Sequence, residues 1–273
     1  MSTDPSGAEP SEPAHQRSGE FVQSLERGLA VIRAFGADRP SLTLSEVAKA
    51  TGLSRAAARR FLHTLVDLGY VSSDGRDFTL RPQVLELGYA YLSSLSLPQV
   101  AQPHLRKLAT EVGESASVAV LDGQDIVYVA RIATYRIMSA AIVVGTRFPA
   151  YATSMGRAIL GAGTVAAQEA FLANVRLRPL TPRTITDVGE LRKALEHVRA
   201  QGWALVDQEL EDGLRSLAAP VHDASGAVVA AVNISAPVRR GNLEDIVRDL
   251  LPPVLAAAKA IEEDLRHVET PAR

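Results

Sequence analysis

The chain contains no cysteine and no long apolar run. Without cysteine it can form neither a disulfide, the usual device of secreted proteins, nor a thiolate metal site. No apolar stretch approaches the roughly 20 residues of a membrane-spanning helix, and the N-terminus lacks the apolar segment of a signal peptide. We therefore expect a cytoplasmic protein that makes no contact with membranes.

A strong charge of either sign is also missing, because 29 Lys and Arg stand against 31 Asp and Glu, a net charge of −2. A general polyanion binder would be basic overall. The six histidines are scattered, and no set of His, Asp and Glu has the spacing of metal ligands. We expect neither a metal nor a cofactor.

Residues 41–80 predict two short helices joined by a tight turn and followed by a hairpin. Thr43 and Glu46 form a T-x-x-E capping box that opens the first helix. Gly52 supplies the left-handed residue of the turn, and Ser54 caps the second helix. The dipeptide Asp74-Gly75 indicates a hairpin with a type I′ turn. This order is typical of a winged helix-turn-helix.

The second helix, Ser54–Leu68, has two different faces when plotted at 100° per residue. One arc is apolar: Ala57, Ala58, Phe61, Leu62, Leu65 and Leu68. The other carries its positive charge: Arg55, Ala56, Arg59, Arg60 and His63. Such a helix packs on a small core while it presents side chains to a DNA major groove. The alternative is a small helical domain whose arginines are only solvated.

The position of each side chain suggests its role on double-stranded DNA. Residues near the start of a recognition helix reach base edges, and the candidates there are Ser54, Arg55, Ala56 and Arg59. Phosphate contacts position a protein without specifying sequence, and the candidates for them are Arg60, His63 and, at the hairpin tip, Arg76. Thr43, at the start of the first helix, is a further DNA-binding candidate.

Residues 82–97 form a predicted helix that is apolar at nearly every position around its axis. A helix of this kind packs on more than one side. We expect it to link two domains and to pack against its copy in a second subunit, since DNA readers of this type bind paired half-sites as dimers. The alternative is a helix buried between two domains of one chain.

Residues 98–267 contain predicted strands, one of them at 137–144, flanked by helices, one of which opens at Ser154. Mostly antiparallel strands with flanking helices predict an α+β sensor domain. The predicted organisation is a disordered tail (1–19), a winged helix-turn-helix (20–81), a linker and dimerisation helix (82–97), an effector-binding domain (98–267) and a short tail (268–273).

Three patterns in the second domain suggest a small-molecule pocket. Ser154, Met155 and Gly156 open a helix after an extended segment, where free backbone N–H groups can bind a carboxylate. Asn233 and Ser235 share one face of a strand. Leu214 and Ser216 share a face of another. The alternatives are that Ser154 is only an N-cap, that Asn233 and Ser235 face water, and that four arginines form surface ion pairs: Arg136, Arg147, Arg157 and Arg215.

An enzyme is the rival interpretation. The segment Ala152-x-Ser154-x-Gly156 differs from the nucleophile elbow of hydrolases only in its first small residue, and His197, His222 and His267 follow it. The repeated strand–helix units of such a hydrolase are not predicted around it. We therefore expect no catalytic residue, and a Ser154-dependent hydrolase remains the alternative.

The chain resembles the IclR family of bacterial transcription regulators over about residues 20–266. The matching stretches are SLERGLAVIRAF, LTLSEVAKATGLSRAAARRFLHTLVDLGYV, YATSMGRAIL and DQELEDGLRSLAAPVHDASGAVVAAVNIS. Within the family, VGTRFPAYATSMGRAIL and LTPRTITD resemble the regulators of protocatechuate and β-ketoadipate catabolism.

The resemblance implies an α+β protein with a winged helix-turn-helix, a linker helix and a GAF- or PAS-like effector domain that binds small organic acids. It implies pocket positions at Ser154, Met155, Leu214, Ser216, Asn233 and Ser235. Val206 stands where some members have an acidic residue. The implied assembly is a homodimer or a dimer of dimers, and the implied function is ligand-responsive transcription control with an aromatic acid, or the dicarboxylate derived from it, as effector.

Overall fold

The computed structural model describes residues 21–36, 38–87, 97–134 and 142–267. The chain divides into two compact units on either side of residue 90. The N-terminal unit has one buried apolar core, and the C-terminal unit has two. Within the described residues, we find no helix that is both long and apolar enough to cross a membrane.

The N-terminal unit is a winged helix-turn-helix, as predicted. Its elements in chain order are α1 (Gln23–Arg33), β1 (Ser41–Thr43), α2 (Leu44–Thr51), α3 (Arg55–Asp67), β2 (Val71–Ser73) and β3 (Asp77–Leu80). The strands form an antiparallel sheet in the order β1-β3-β2. Ala58, Leu62 and Leu65 of α3 are buried in the core beside Val47 of α2.

Local chemistry fixes the turn between α2 and α3. The Thr43 hydroxyl accepts the N–H of Glu46 at 3.3 Å, and the Glu46 carboxylate accepts the N–H of Thr43 at 2.7 Å, so the capping box forms. Gly52 ends α2 with φ of 67°, a conformation that other residues rarely adopt. The Ser54 hydroxyl then accepts the N–H of Ala57 and opens α3.

Two details of this unit differ from prediction. The hairpin closes with the N–H of Asp74 donating to the carbonyl of Asp77, which leaves Gly75 and Arg76 as the central residues. Only Gly75 has a positive φ, whereas a type I′ turn needs two such residues. Leu68 is 55% exposed, because α3 ends at Asp67 and the chain turns there.

The C-terminal unit is an α+β domain. Its elements are α4 (Leu97–Val112), β4 (Ser115–Asp122), β5 (Asp125–Ile132), β6 (Arg147–Pro149), α5 (Ser154–Ala162), α6 (Val165–Asn174), α7 (Val188–Gln201), β7 (Ala204–Asp207), β8 (Leu214–His222), β9 (Val228–Pro237) and α8 (Leu243–His267). The strands form one antiparallel sheet in the order β6-β5-β4-β9-β8-β7.

Each face of this sheet covers a different core. Branched side chains such as Val118, Val232 and Ile234 pack against α4 and α8 on one face. On the other face, small residues such as Ala119, Ala218 and Ala231 form a core with α5 and α7. Because alanine side chains are short, α5 can approach this face closely, and the pocket described below lies there.

The predictions for residues 137–144 and 82–97 fall partly outside the described residues. Of the first segment, residues 142–144 are described and are not in a strand. The edge strand comes later, at β6, after a turn in which Gly145 has φ of 90°. Of the second, residues 82–84 form a 3-10 turn and 85–87 are helical; residues 88–96 lie outside the description.

Candidate functional site

The basic arc of α3 is exposed along its length. Arg55, Ala56, Arg59, Arg60 and His63 are all exposed, as the helical plot predicted. None of these three arginines forms an ion pair with another described residue. A row of unpaired guanidinium groups on one helix face is suited to phosphates and base edges.

The remaining DNA-binding candidates are the caps of the two helices, Thr43 and Ser54, and Arg76 in the hairpin turn. His63 packs edge-on against Phe78 of the wing, with ring centroids 6.4 Å apart, so α3 and the wing are held together. Arg76 is exposed at the hairpin tip. The Thr43 hydroxyl donates to the Glu46 carboxylate at 2.7 Å, so it already serves the capping box, as the Ser54 hydroxyl serves the cap of α3.

In the C-terminal unit, a small cavity lies between α5 and the alanine-rich face of the sheet. Its volume is about 20 Å³, room for about one water molecule. Five of the seven predicted ligand-binding residues line it: Met155, Leu214, Ser216, Asn233 and Ser235. The other wall residues are Tyr128, Ala152, Thr153, Val206 and Leu210.

A hydrogen-bond network joins the polar residues of this cavity. The Ser154 and Ser216 hydroxyls lie 2.6 Å apart, so Ser154 belongs to the network although it does not line the cavity. The Asn233 amide nitrogen donates to Ser216 at 2.9 Å and to Ser235 at 3.3 Å. The Asn233 side-chain oxygen is buried and has no hydrogen-bond partner among the residues that the structure describes. Asn233 and Ser235 therefore face the interior rather than water.

Gly156 has a different role from the one predicted. Thr153, not Ser154, caps α5, and its hydroxyl accepts the N–H of Gly156 at 3.1 Å, so this amide is not free for a carboxylate. A Cβ at Gly156 would lie 2.2 Å from the carbonyl oxygen of Ala150. Gly156 is thus the residue that lets α5 approach the preceding turn.

Tyr128 and Leu210 were missed by the sequence analysis. Burial raises the pKa of the Tyr128 phenol to about 12, so the group is neutral at physiological pH. Leu210 lies in the loop between β7 and β8, a loop that has no periodicity to predict its direction. The only sequence signal for Tyr128 was its position in a strand. A bulge in the pairing of β4 with β5 shifts the register, so simple alternation does not predict which face Tyr128 is on.

Arg157 is buried rather than part of a surface ion pair. Its guanidinium donates to both carboxylate oxygens of Glu209, at 2.7 and 2.6 Å, and to the carbonyl of Tyr151 at 2.8 Å. Both side chains of the ion pair are at least nine-tenths buried. The sequence pattern of residues 151–160 gave no sign of this pair, because its acidic partner lies 52 residues later.

The other candidate arginines are also occupied where they are described. Arg147 pairs with Asp122 at 2.6 Å on the surface, and hydrogen bonds with its carboxylate partners raise its pKa. Arg215 pairs with Asp207 at 2.7 Å. Arg136 lies outside the described residues. None of the described three is free to neutralise a ligand.

Two of the three histidines proposed for a hydrolase, His197 and His222, are not assembled around Ser154, and the side chain of His267 lies outside the description. His222 is bonded to Glu262 of α8 at 2.6 Å, and the sheet separates α8 from α5. His197 is exposed on α7. In the part of the chain that the structure describes, no group of three or more His, Asp or Glu could hold a metal ion.

A winged helix-turn-helix with an exposed arginine face, joined to a domain with a buried polar cavity, defines a DNA-binding regulator with a ligand-sensing domain. Two family models match the chain: the IclR helix-turn-helix domain over residues 24–75 and the bacterial transcriptional regulator IclR C-terminal domain over residues 89–263. The chain therefore belongs to the IclR family of bacterial transcriptional regulators, whose members are not enzymes.

Individual relatives agree with this assignment. The chain is 47% identical over 241 residues to the Pca regulon regulatory protein of Pseudomonas putida, covering 88% of this chain and 83% of that one. A crystal structure of a Rhodococcus sp. RHA1 protein described as a transcriptional regulator is 57% identical, with a TM-score of 0.80, and the match covers 90% of this chain and 98% of that one.

A third relative was crystallised with a ligand. An IclR homologue from Microbacterium hydrocarbonoxydans in complex with 4-hydroxybenzoate is 26% identical to the chain, with a TM-score of 0.79. The match covers 90% of this chain and all of that one.

Proposed function

We propose that this regulator binds an aromatic acid, or the dicarboxylate derived from one, at the C-terminal cavity, and that binding changes its affinity for operator DNA. The observation that carries this proposal is the Asn233 amide, which lines the cavity and has a buried oxygen without a hydrogen-bond partner in the described part of the chain. A buried polar atom left unpaired is costly, so a ligand that bonds to it is favoured. The Pca regulon relative and the 4-hydroxybenzoate complex support an aromatic acid.

The cavity has to enlarge when such a ligand binds. A benzene ring needs a cavity of about 150 Å³, whereas this one has a volume of about 20 Å³. Binding therefore favours an expanded conformation over the closed one. A ligand that prefers one conformation can couple to DNA binding, because only differential affinity shifts an equilibrium.

DNA recognition is assigned to α3 and the wing. Ser54, Arg55, Ala56 and Arg59 lie at the start of α3, where side chains reach base edges. Arg60, His63 and Arg76 are assigned to phosphates, and Thr43 supports this surface through its capping box. The exposure of α3 and its lack of ion pairs support these roles.

We assign the active form to a homodimer or a dimer of dimers in the cytoplasm. Two copies would place two recognition helices on paired half-sites of an operator. The proposed limits are a tail at 1–19, the DNA-binding domain at 20–81, the linker and dimerisation helix at 82–97, the effector domain at 98–267 and a tail at 268–273.

The test is a titration of the purified chain against DNA from upstream of its own gene, by fluorescence anisotropy, with 4-hydroxybenzoate, protocatechuate or adipate. We expect at least one of these acids to change the DNA affinity about fivefold or more and to raise the melting temperature by mass action. Ser216→Val tests whether the cavity is the binding site. Its methyl groups should fill the cavity and abolish the response to the acid, while DNA binding without acid stays intact. A DNA affinity that none of the three organic acids changes would contradict the proposal.

A further inference from the structure

Arg131 lies on the pocket face of β5, although it was not among the candidate arginines. In the pairing with β4, Tyr128 lies opposite Ala119 and Arg131 lies opposite Ser117, with a bulge between. The bulge turns both intervening residues, Val129 and Ala130, into the opposite core. Tyr128, which lines the cavity, and Arg131 therefore share one face of the sheet.

The Arg131 guanidinium has no acidic partner among the described residues. Its Nη1 donates to the Ser117 hydroxyl at 3.0 Å, and its Nε is buried without any hydrogen-bond partner. Burial of part of the side chain lowers the pKa of the guanidinium. Arg147, Arg157 and Arg215 differ, since each has a carboxylate. Arg131 as a residue is half-buried, but a buried N–H group such as its Nε ordinarily has a hydrogen-bond partner.

Ser117 lies between this guanidinium and Asn233 in the sheet. It is buried and lies directly opposite Asn233 in the pairing of β4 with β9. Adjacent strands lie about 4.8 Å apart, so Arg131 and Asn233 stand on strands about 10 Å apart, on one face of the sheet. The two buried polar side-chain atoms without partners in the described chain are Arg131 Nε and Asn233 Oδ1, and they lie at the two ends of this row.

The chemistry of the two ends differs. The Arg131 end offers N–H donors and a positive charge, which suit a carboxylate. At the other end, both partners of the Asn233 amide are hydroxyls, which either donate or accept, so either orientation of the amide leaves one polar atom unpaired. A ligand hydroxyl bonds to the amide in either orientation, whereas a second carboxylate would bury a negative charge among lining residues that include no Lys, Arg or His, which is costly.

We infer that Arg131 and Asn233 bind the opposite ends of one ligand, with Arg131 on its carboxylate and Asn233 on its hydroxyl group. The ligand class is a ring-hydroxylated aromatic carboxylate rather than an aliphatic dicarboxylate. This inference rests on the proposed function, and it names the residues that select the effector. The cavity at Asn233 extends along Ser117 to Arg131 when the ligand enters.

The experiment is isothermal titration of the full-length chain with three probes: 4-hydroxybenzoate, benzoate and the uncharged 4-hydroxybenzamide. We expect Arg131→Met to weaken 4-hydroxybenzoate binding by about tenfold to a hundredfold, the usual effect of losing hydrogen bonds to a charged group. Its affinity for 4-hydroxybenzamide should stay the same. Asn233→Ala should remove the preference for 4-hydroxybenzoate over benzoate.

Arg147→Met is the matched control, because it removes an arginine that already has surface carboxylate partners, and it should leave all three affinities unchanged. Equal binding of 4-hydroxybenzoate by wild type and Arg131→Met overturns this inference and leaves the proposed function standing. Failure of the wild type to bind any aromatic acid overturns both. If Arg131→Met does not fold, the affinities of the wild type for 4-hydroxybenzoate and 4-hydroxybenzamide are compared instead. Equal affinities for these two ligands overturn the inference.

Discussion

The guanidinium of Arg157 and the carboxylate of Glu209 form two parallel hydrogen bonds of 2.7 and 2.6 Å inside the C-terminal unit. Arg157 belongs to α5, and Glu209 lies in the loop between β7 and β8. The same carboxylate accepts the N–H of Ile185 at 3.0 Å. The neighbour of Glu209 in the loop, Leu210, lines the cavity, so this buried ion pair anchors the loop at the residue next to one wall of the cavity.

Breaking the pair from one side should destabilise the C-terminal unit. Glu209→Gln leaves the Arg157 charge buried without its partner, which typically costs about 3–5 kcal/mol. The double variant Arg157→Met/Glu209→Leu should recover much of the loss, because two apolar side chains can replace a buried pair. Urea unfolding followed by the fluorescence of Trp203, the only tryptophan, measures this unit. If the double variant lost as much free energy of unfolding as the two single substitutions together, Arg157 and Glu209 would not be coupled.

Arg55 and Arg60 should differ in their effects on DNA binding. Arg55→Ala should relax the preference for operator over unrelated DNA by about 1–3 kcal/mol, the discrimination of a bidentate base contact. Arg60→Ala should weaken both DNAs alike and reduce the slope of log K against log salt by about 1. Anisotropy titrations at several salt concentrations measure both quantities. Arg106→Ala, an exposed arginine of α4, should change neither, and identical effects of Arg55→Ala and Arg60→Ala would refute the division of roles.

Gly156→Ala should disturb the proposed ligand site although it adds only one methyl group. The new Cβ would lie 2.2 Å from the Ala150 carbonyl oxygen, so the start of α5 must shift. Overpacking of this kind costs about 1–3 kcal/mol, and ligand affinity should fall with it. Gly28→Ala is the matched control, because its Cβ would meet nothing closer than 3.9 Å. Urea unfolding measures the stability of both variants, and titration with 4-hydroxybenzoate measures their ligand affinity. Equal results for Gly156→Ala and Gly28→Ala would contradict this prediction.

The capping box should make the N-terminal unit sensitive to acid. Hydrogen bonds from the backbone N–H and then the hydroxyl of Thr43 hold the pKa of Glu46 below its ordinary value of 4.5. Since the folded-state pKa is the lower one, this contribution is fully present above pH 4.5 and is lost as pH falls through the lowered value.

Glu46→Gln should therefore remove that part of the acid dependence. The measurement is urea unfolding by circular dichroism from pH 7 to pH 3, with Trp203 fluorescence identifying the transition of the C-terminal unit. Asp38→Asn is the control, since Asp38 is exposed outside the capping box. An unchanged pH profile in Glu46→Gln would show that the box contributes nothing.

Local sequence signals predicted the N-terminal unit well. The box of Thr43 and Glu46, the turn at Gly52 and the cap at Ser54 act over at most four residues, and all of them form. The two faces of α3 follow from helical periodicity alone. The hairpin turn was less predictable, because an Asp-Gly pair fits more than one register and the backbone selected Gly75–Arg76.

The cavity proposed as the ligand site was predicted only in part, because its lining depends on contacts distant in sequence. Period-two patterns placed Asn233 with Ser235 on one strand and Leu214 with Ser216 on another, but not the two pairs on one common face of the sheet. No local pattern could show that Arg157 pairs with Glu209, or that a bulge brings Arg131 to the face of Tyr128. Both are consequences of strand register and packing, which the sequence pattern of a single segment does not contain.

The small volume of the cavity has a consequence for the dose at which the regulator responds. When only a small fraction of molecules is open, the apparent dissociation constant equals the intrinsic constant divided by that fraction. The concentration threshold then depends on how readily the wall at Leu210 moves as much as on the atoms that touch the ligand. Substitutions in the β7–β8 loop could therefore retune sensitivity over a wide range while leaving the choice of effector unchanged.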